Sequence, residues 1–263
     1  MRFWLNPALL ALLVLGAACA PKVRIGEDIP SANLDWRRMA PSGVLERLKE
    51  GREKLPGLSA MFVLTMDQPP PGQFSYLNGL IFIGKSPEGQ PALRIKALGP
   101  MGNVYFDMVM QGESLQIYVP MRETLYQGQA SDMEKGGMGN LFAWMMFDPA
   151  TAQAARGAPL EVGQSEAMLT LTIGRLALDK RTGLPLELRG PEQTVRFEKY
   201  QALPDGYPPV PARIVVTDGS GKGKAKCELR DIKPGLPPAS AFDLSGYAPK
   251  RVEPLNALSG KRR

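Results

Sequence analysis

The feature that most constrains the fold of this chain is an alternation of apolar and polar residues with a period of two. In residues 92–98, Leu93 and Ile95 alternate with Arg94 and Lys96. Successive side chains of a strand point to opposite faces of its sheet, so this segment has one face in a core and the other in water. The pattern predicts a β-strand with Arg94 and Lys96 solvated on its outer face.

The same alternation recurs along most of the chain, with turn-forming residues between the segments. These connections are typical of antiparallel strands. A short helix is predicted to open at Pro41 with Ser42 as its N-cap, and the segment 141–147 is apolar on every side, which predicts a buried helix. We therefore predict a mainly β fold with helices: an open, curved antiparallel β half-barrel of about 11 strands, with helices plugging the concave side. The further predicted strands are 61–66, 77–84, 103–111, 115–119, 124–128, 167–174, 176–179, 184–189, 194–201, 212–217 and 224–232.

The first eighteen residues have the pattern of a secretion signal. Arg2 precedes an apolar run that ends at Ala18 and is too short to span a bilayer, which needs about 20 residues. The small residues before Cys19 resemble a lipobox, in which the cysteine thiol takes up a diacylglycerol. The alternative is an ordinary signal peptide with a chance cysteine. Ala20, rather than aspartate, follows Cys19, and by the sorting rule of well-studied Gram-negative bacteria this favours the outer membrane, facing the periplasm.

These features divide the chain into four parts. We expect one domain with a sizeable core, tethered to a membrane by the lipid on Cys19. The tail ends in a basic run, which is either solvated or in contact with anionic headgroups. The parts are a lipoprotein signal peptide at 1–18, a lipidated N-terminus with a flexible linker at 19–40, the folded domain at 41–245 and a basic C-terminal tail at 246–263.

The composition excludes several kinds of chemistry. The chain contains no histidine, which excludes Ser-His-Asp and Cys-His catalysis and metal sites with histidine ligands. Once Cys19 is acylated, only Cys227 remains, so no intramolecular disulfide forms. Cys227 is two residues before Leu229 in a predicted strand, so both side chains point to the same face of the sheet, and Cys227 is predicted to be buried. No pair of carboxylates is placed for acid–base work, so we expect no enzyme, no metal site and no cofactor.

Three motifs, in order behind Cys19, resemble the LolA/LolB superfamily of periplasmic carriers and outer-membrane receptors of lipoproteins, and most closely the receptor LolB. They are the strand and loop at 93–102, the hairpin at 179–185, and the strand at 211–219 that follows Tyr200. The resemblance implies an open β-barrel with helices on its concave side and a cavity for acyl chains. Met101 stands where the receptor's loop projects an exposed leucine.

The resemblance also implies a function and partners. It implies an outer-membrane receptor that takes acylated lipoproteins or lipids, accepts them from a LolA-like periplasmic carrier and inserts them into the membrane. Met101 would be the membrane-insertion tip; the alternative is a loop methionine folded back on the sheet edge. We expect the protein to be a monomer. Because the chain is predicted to be exported, we also expect it to bind no nucleic acid. A different reading is a structural or assembly lipoprotein that presents this fold to protein partners without a ligand.

The candidate cavity residues are apolar residues of the predicted strands and of the apolar segment. The same residues equally predict a dry, well-packed core, so the pattern alone leaves the two alternatives open. The candidates are Phe62, Leu64, Leu93, Ile95, Phe106, Met108, Ile117, Leu141, Phe142, Trp144, Met145, Leu171 and Phe197.

Overall fold

The computed structural model of the chain describes residues 25–26, 28–67, 75–86, 88–99, 101–132, 155, 158–219, 221 and 223–259. Several sequence predictions lie outside these residues. They are the signal peptide, Cys19, and the candidate cavity residues Leu141, Phe142, Trp144 and Met145.

Within the described residues, one α-helix, four short 3-10 helices and fourteen strands form the regular structure. The helix, α1, spans Pro41–Glu53. The strands are β1 Leu58–Asp67, β2 Tyr76–Lys85, β3 Pro91–Leu98, β4 Val104–Gln111, β5 Ser114–Val119, β6 Thr124–Gln129, β7 Glu161–Val162, β8 Glu166–Leu171, β9 Gly174–Asp179, β10 Pro185–Arg189, β11 Gln193–Gln201, β12 Val210–Asp218, β13 Lys224–Pro234 and β14 Arg251–Pro254.

All the strands belong to one open sheet in the order β14-β6-β5-β4-β3-β2-β1-β13-β12-β11-β10-β9-β8-β7. The chain begins at the middle of the sheet and runs outward to β6. It resumes at the opposite edge with β7 and returns to β13, which pairs with β1. Neighbours are antiparallel except that β14 pairs parallel with β6. The two edge strands do not pair with each other, which agrees with the predicted open sheet. The sheet has fourteen strands, more than the predicted number of about 11.

Apolar side chains cover one face of the sheet, called here the inner face. Leu64 lies opposite Cys227, Cys227 opposite Ile214, and Ile214 opposite Phe197 in adjacent strands, and all four are buried. The alternation predicted for β3 is confirmed on this face, since Ile95 is fully buried. The predicted burial of Cys227 is also confirmed. Burial raises the pKa of its thiol to about 12, so this cysteine is not a reactive thiolate.

The residues before α1 differ from the predicted flexible linker. Ile29 and Trp36 are buried in the inner-face cluster of β8–β12, and Trp36 Nε1 donates a hydrogen bond to the Lys180 carbonyl over 2.8 Å. The sequence shows no period here because the segment packs as an irregular chain. Helix α1 begins at Pro41 with Ala40 as the N-cap, so the prediction of Ser42 as the cap is wrong. A proline fits this first turn because it lacks the N–H that would need a cap.

The outer face of β3–β5 is covered by residues 237–247, and this overturns the prediction that Arg94 is solvated. Ala241 and Phe242 are buried in one cluster with outer-face residues of these strands. Beneath them, Arg94 Nη2 lies 2.7 Å from the carboxylate of Asp107, whose side chain is fully buried. Arg94 also donates to the Ala241 carbonyl over 2.9 Å. An arginine on the polar alternate is therefore part of a second, smaller core.

The described part of the predicted C-terminal tail, residues 246–259, packs against the sheet, whereas its terminal basic run lies outside the described residues. After strand β14, Leu255 is buried in the inner-face cluster of β1–β6, β12 and β13. Lys250 approaches the Glu123 carboxylate to 2.7 Å. These contacts were not predicted from the sequence, because β14 has only four residues and shows no clear alternation of apolar and polar side chains. No helix among the described residues has the length and apolar character needed to cross a bilayer.

Candidate functional site

An apolar cavity lies between α1, the segment before it and the inner face of the sheet. Its volume is about 610 Å³, within the range of roughly 300–1,000 Å³ that is usual for small-molecule sites. The connection between β11 and β12 closes one side of it. The lining includes Ile29, Leu48, Leu55, Leu58, Ile83, Leu184, Phe197, Tyr200, Leu203, Tyr207, Pro208, Pro209, Val210, Ile214 and Leu229.

Two polar side chains in the lining already have hydrogen-bond partners. The Tyr200 hydroxyl donates to the Pro185 carbonyl over 2.7 Å, and burial raises the pKa of Tyr200, which keeps it neutral. The Thr182 hydroxyl donates to the Asp179 carboxylate over 2.7 Å. Because these groups are satisfied within the protein, the wall of the cavity favours apolar parts of a ligand.

The helical side of the cavity has a different character. Helix α1 and the residue that follows it contribute three cations to the lining: Arg47, Arg52 and Lys54. Arg52 Nη1 donates to the Leu55 carbonyl over 3.0 Å. Gly51 lies among them, and a Cβ built on it would have no atom within 4 Å. The cavity is therefore open beside this glycine and bordered by positive charge.

The predicted cavity residues are only partly brought together here. Phe197 lines the cavity. The other described candidates lie in the inner-face clusters, where Phe106 is partly buried and the rest are buried; contact with a ligand stays a prediction for all of them. The rest are Phe62, Leu64, Leu93, Ile95, Met108, Ile117 and Leu171.

Sequence reasoning missed the lining that comes from outside the strands. The connection at 202–209 has no hydrophobic period, and nothing in its sequence indicates which surface it covers. Helix α1 does carry a signal, since Leu48 belongs with Val44 and Leu45 to an apolar stripe on one helical face. That spacing could have placed the cavity beside α1 as well as beside the strands.

The Met101 tip is exposed, as the insertion hypothesis requires, and is not folded back on the sheet. Its side chain is 92% exposed in the turn between β3 and β4. This turn is closed by hydrogen bonds from the Gly102 amide to the Gly99 carbonyl and from the Gly99 amide to the Asn103 carbonyl. Gly102 has a φ of 77°, which glycine adopts without strain. The contact of Met101 with a membrane stays a prediction.

A second exposed methionine, Met121, lies in the turn between β5 and β6 and is 76% exposed. In an antiparallel sheet, alternate turns lie at the same end, so Met101 and Met121 share one end, called here the methionine end. The cavity lies toward the opposite end, where the β9–β10 and β11–β12 connections are, called here the cavity end. Strand β3 has eight residues, so the two ends are about 26 Å apart.

Comparison with solved structures identifies the fold. A DUF1329 family protein from Desulfovibrio piger superposes with a TM-score of 0.62 at 12% identity, covering 79% of this chain and 98% of that one. A putative outer membrane lipoprotein-sorting protein domain from Vibrio parahaemolyticus superposes with a TM-score of 0.55 at 13% identity, covering 76% of this chain and 96% of that one. A LolA superfamily protein from Nitrosomonas europaea superposes with a TM-score of 0.52 at 14% identity, covering 78% of this chain and 98% of that one. The chain therefore has a LolA-like fold.

At these identities the likeness concerns the fold and not a shared ligand. No protein-family profile matches the sequence, and no curated protein matches it. The closer resemblance to the receptor LolB stays a prediction from the three sequence motifs. Among the described residues, no three histidine, cysteine, aspartate or glutamate side chains are grouped so that they could hold a metal ion.

Proposed function

We propose that this protein is a cell-envelope lipoprotein that holds the alkyl chain of a lipid or of an acylated protein in its apolar cavity, without covalent chemistry. The observation that carries the proposal is the cavity of about 610 Å³ between α1 and the inner face. The fold shared with a lipoprotein-sorting domain and with a LolA superfamily protein supports it. Each methylene group moved from water into such a cavity contributes about 0.8 kcal/mol.

Such binding suits transfer between carriers. A chain buried in the cavity is in an environment similar to that of a membrane or of another carrier, so passing it on costs little net free energy. We propose that the protein takes its ligand from a LolA-like periplasmic carrier and delivers it to the outer membrane, anchored by the lipid on Cys19. Exposed Met101 would contact the membrane during delivery, with the protein acting as a monomer.

A substitution that fills the cavity tests the proposal. Gly51→Leu places a side chain in the open space beside α1, where a Cβ has no atom within 4 Å, and leucine also favours the helix over glycine. We expect the unacylated protein to co-purify with lipid, and Gly51→Leu to lower the bound lipid at least severalfold. The measurement is mass spectrometry of lipid extracted from the folded protein.

The matched control is Gly43→Leu, which adds the same side chain to an exposed position of α1 outside the cavity lining. We expect this variant to retain the bound lipid. Purified protein that carries no lipid and takes up none from vesicles would contradict the proposal. That result would favour a module that binds only protein partners.

A further inference from the structure

We propose that the ligand of this cavity is an amphiphile with an anionic headgroup, which is held at the rim by Arg47 and Lys54. This inference rests on the proposed function, because it concerns the head of a ligand whose alkyl chain lies in the cavity. It assigns a headgroup class and two recognition residues.

All the charged side chains among the described lining residues of the cavity are positive. They are Arg47, Arg52 and Lys54, and none of the described lining residues is an aspartate or a glutamate. Helix α1 also carries glutamates, but all of them lie outside the lining; they are Glu46, Glu50 and Glu53. The helix therefore turns cations toward the cavity and keeps its carboxylates elsewhere.

The position of the cations follows from helical geometry. Arg47, Gly51 and Lys54 follow one another at intervals of four and three residues, so they share one face of the helix. Because Gly51 has no side chain, the space between the two cations stays open toward the cavity. A headgroup at this point would lie between two positive charges while its chain extends toward Phe197.

Arg47 and Lys54 are also available for a ligand. Both side chains are exposed, and neither makes an ion pair with another described residue. Arg52 is partly engaged through its hydrogen bond to the Leu55 carbonyl, so it adds charge without being needed as a direct contact. A lysine or arginine can also lie at an apolar edge only to cover it with its methylene stem. Glutamate stems would serve that purpose too, and their absence from the lining favours recognition of an anion.

The test compares headgroups on the same alkyl chain. Unacylated protein is titrated with dodecanoate and with methyl dodecanoate, in competition with a neutral fluorescent apolar probe. We expect the carboxylate to bind at least about fivefold more tightly than the ester, which is the size of one favourable exposed ion pair. Added salt should weaken the binding of the carboxylate and leave that of the ester nearly unchanged.

Variants then assign the effect to the rim. Arg47→Gln with Lys54→Gln should remove the preference for the carboxylate and keep the affinity for the ester. The control pair, Arg37→Gln with Lys49→Gln, removes the same charge outside the lining and should keep the preference. Equal binding of the carboxylate and the ester by the unchanged protein would overturn the inference and leave the proposed function standing. Failure to bind the ester, the carboxylate and the probe would overturn both.

Two further ligands separate the sources of an anionic head. Lysophosphatidylglycerol and lysophosphatidylcholine with the same dodecanoyl chain differ in net charge. A preference for the anionic lysophosphatidylglycerol over lysophosphatidylcholine, abolished by Arg47→Gln with Lys54→Gln, would support an anionic phospholipid as the ligand. A preference seen only with dodecanoate would support a free fatty acid.

Discussion

At the scale of single residues, Tyr247 joins the C-terminal segment to the outer face of the sheet. Its hydroxyl donates to the buried Asp107 carboxylate over 2.8 Å, and its ring stacks on Tyr118 with 4.3 Å between centroids. Tyr247→Phe keeps the ring and removes the hydrogen bond to a charged group. We expect the free energy of unfolding to fall by about 1.5–3 kcal/mol, measured by urea denaturation at pH 7. Tyr76→Phe, at an exposed position, should change it by less than about 0.5 kcal/mol; equal losses would contradict this prediction.

The same tyrosine also predicts a pH dependence. Burial, followed by the hydrogen bond with Asp107, raises the pKa of Tyr247 to about 12, above the usual value of about 10 in an unfolded chain. Its contribution to stability is therefore fully present below about pH 10 and is lost as the pH rises through 12. The raised pKa of Cys227 acts in the same direction. We expect Tyr247→Phe to lose less stability between pH 10 and 12 than the unchanged protein, in denaturation curves across that range. Identical losses would show that Tyr247 does not titrate differently on folding.

At the scale of elements, the β3–β4 and β5–β6 hairpins project Met101 and Met121 from one end of the sheet. Insertion of an exposed methionine into a bilayer contributes about 1–2 kcal/mol, so Met101→Glu with Met121→Glu should weaken vesicle binding by tenfold or more. Co-sedimentation of the unacylated protein with vesicles measures this. Leu236→Glu is the matched control, since Leu236 is 62% exposed at the cavity end. An equal loss from the control would show that vesicle binding does not depend on the methionine end.

The elements also show where sequence reasoning works. Long strands such as β3 and β1 were predictable because burial of one face requires alternation. Strands β7 and β14 were missed because two and four residues are too few to show a period. The burial of Arg94 was missed because its cover, residues 237–247, lies more than a hundred residues along the chain. The part of the cavity lining that comes from the connection at 202–209 was missed because this irregular segment shows no hydrophobic period.

At the scale of the whole molecule, the position of the N-terminal segment constrains how the domain meets a membrane. Arg181, in the β9–β10 turn at the cavity end, donates hydrogen bonds to the carbonyls of Gly26 and Ile29. Cys19 precedes Ile25 by six residues, which span at most about 21 Å. The acylation proposed for Cys19 would therefore keep the cavity end near the membrane. Because the two ends are about 26 Å apart and the tether is shorter than this, Met101 reaches the same membrane only when the strands are inclined to its surface and not perpendicular to it.

This orientation gives the last prediction. Gln201→Cys at the cavity end and Asn103→Cys beside Met101 are labelled singly with a fluorophore; Cys227 is buried and should stay unlabelled in the folded protein. In vesicles that carry a headgroup quencher, we expect the acylated protein to show strong quenching at both labels, because the tether holds the cavity end near the membrane and insertion of Met101 brings the methionine end to it. Quenching at Gln201→Cys alone would mean that the domain stands upright with its methionine end away from the anchoring membrane. Met101 would then be free to meet a carrier or a second membrane, and its insertion into the anchoring membrane would be excluded.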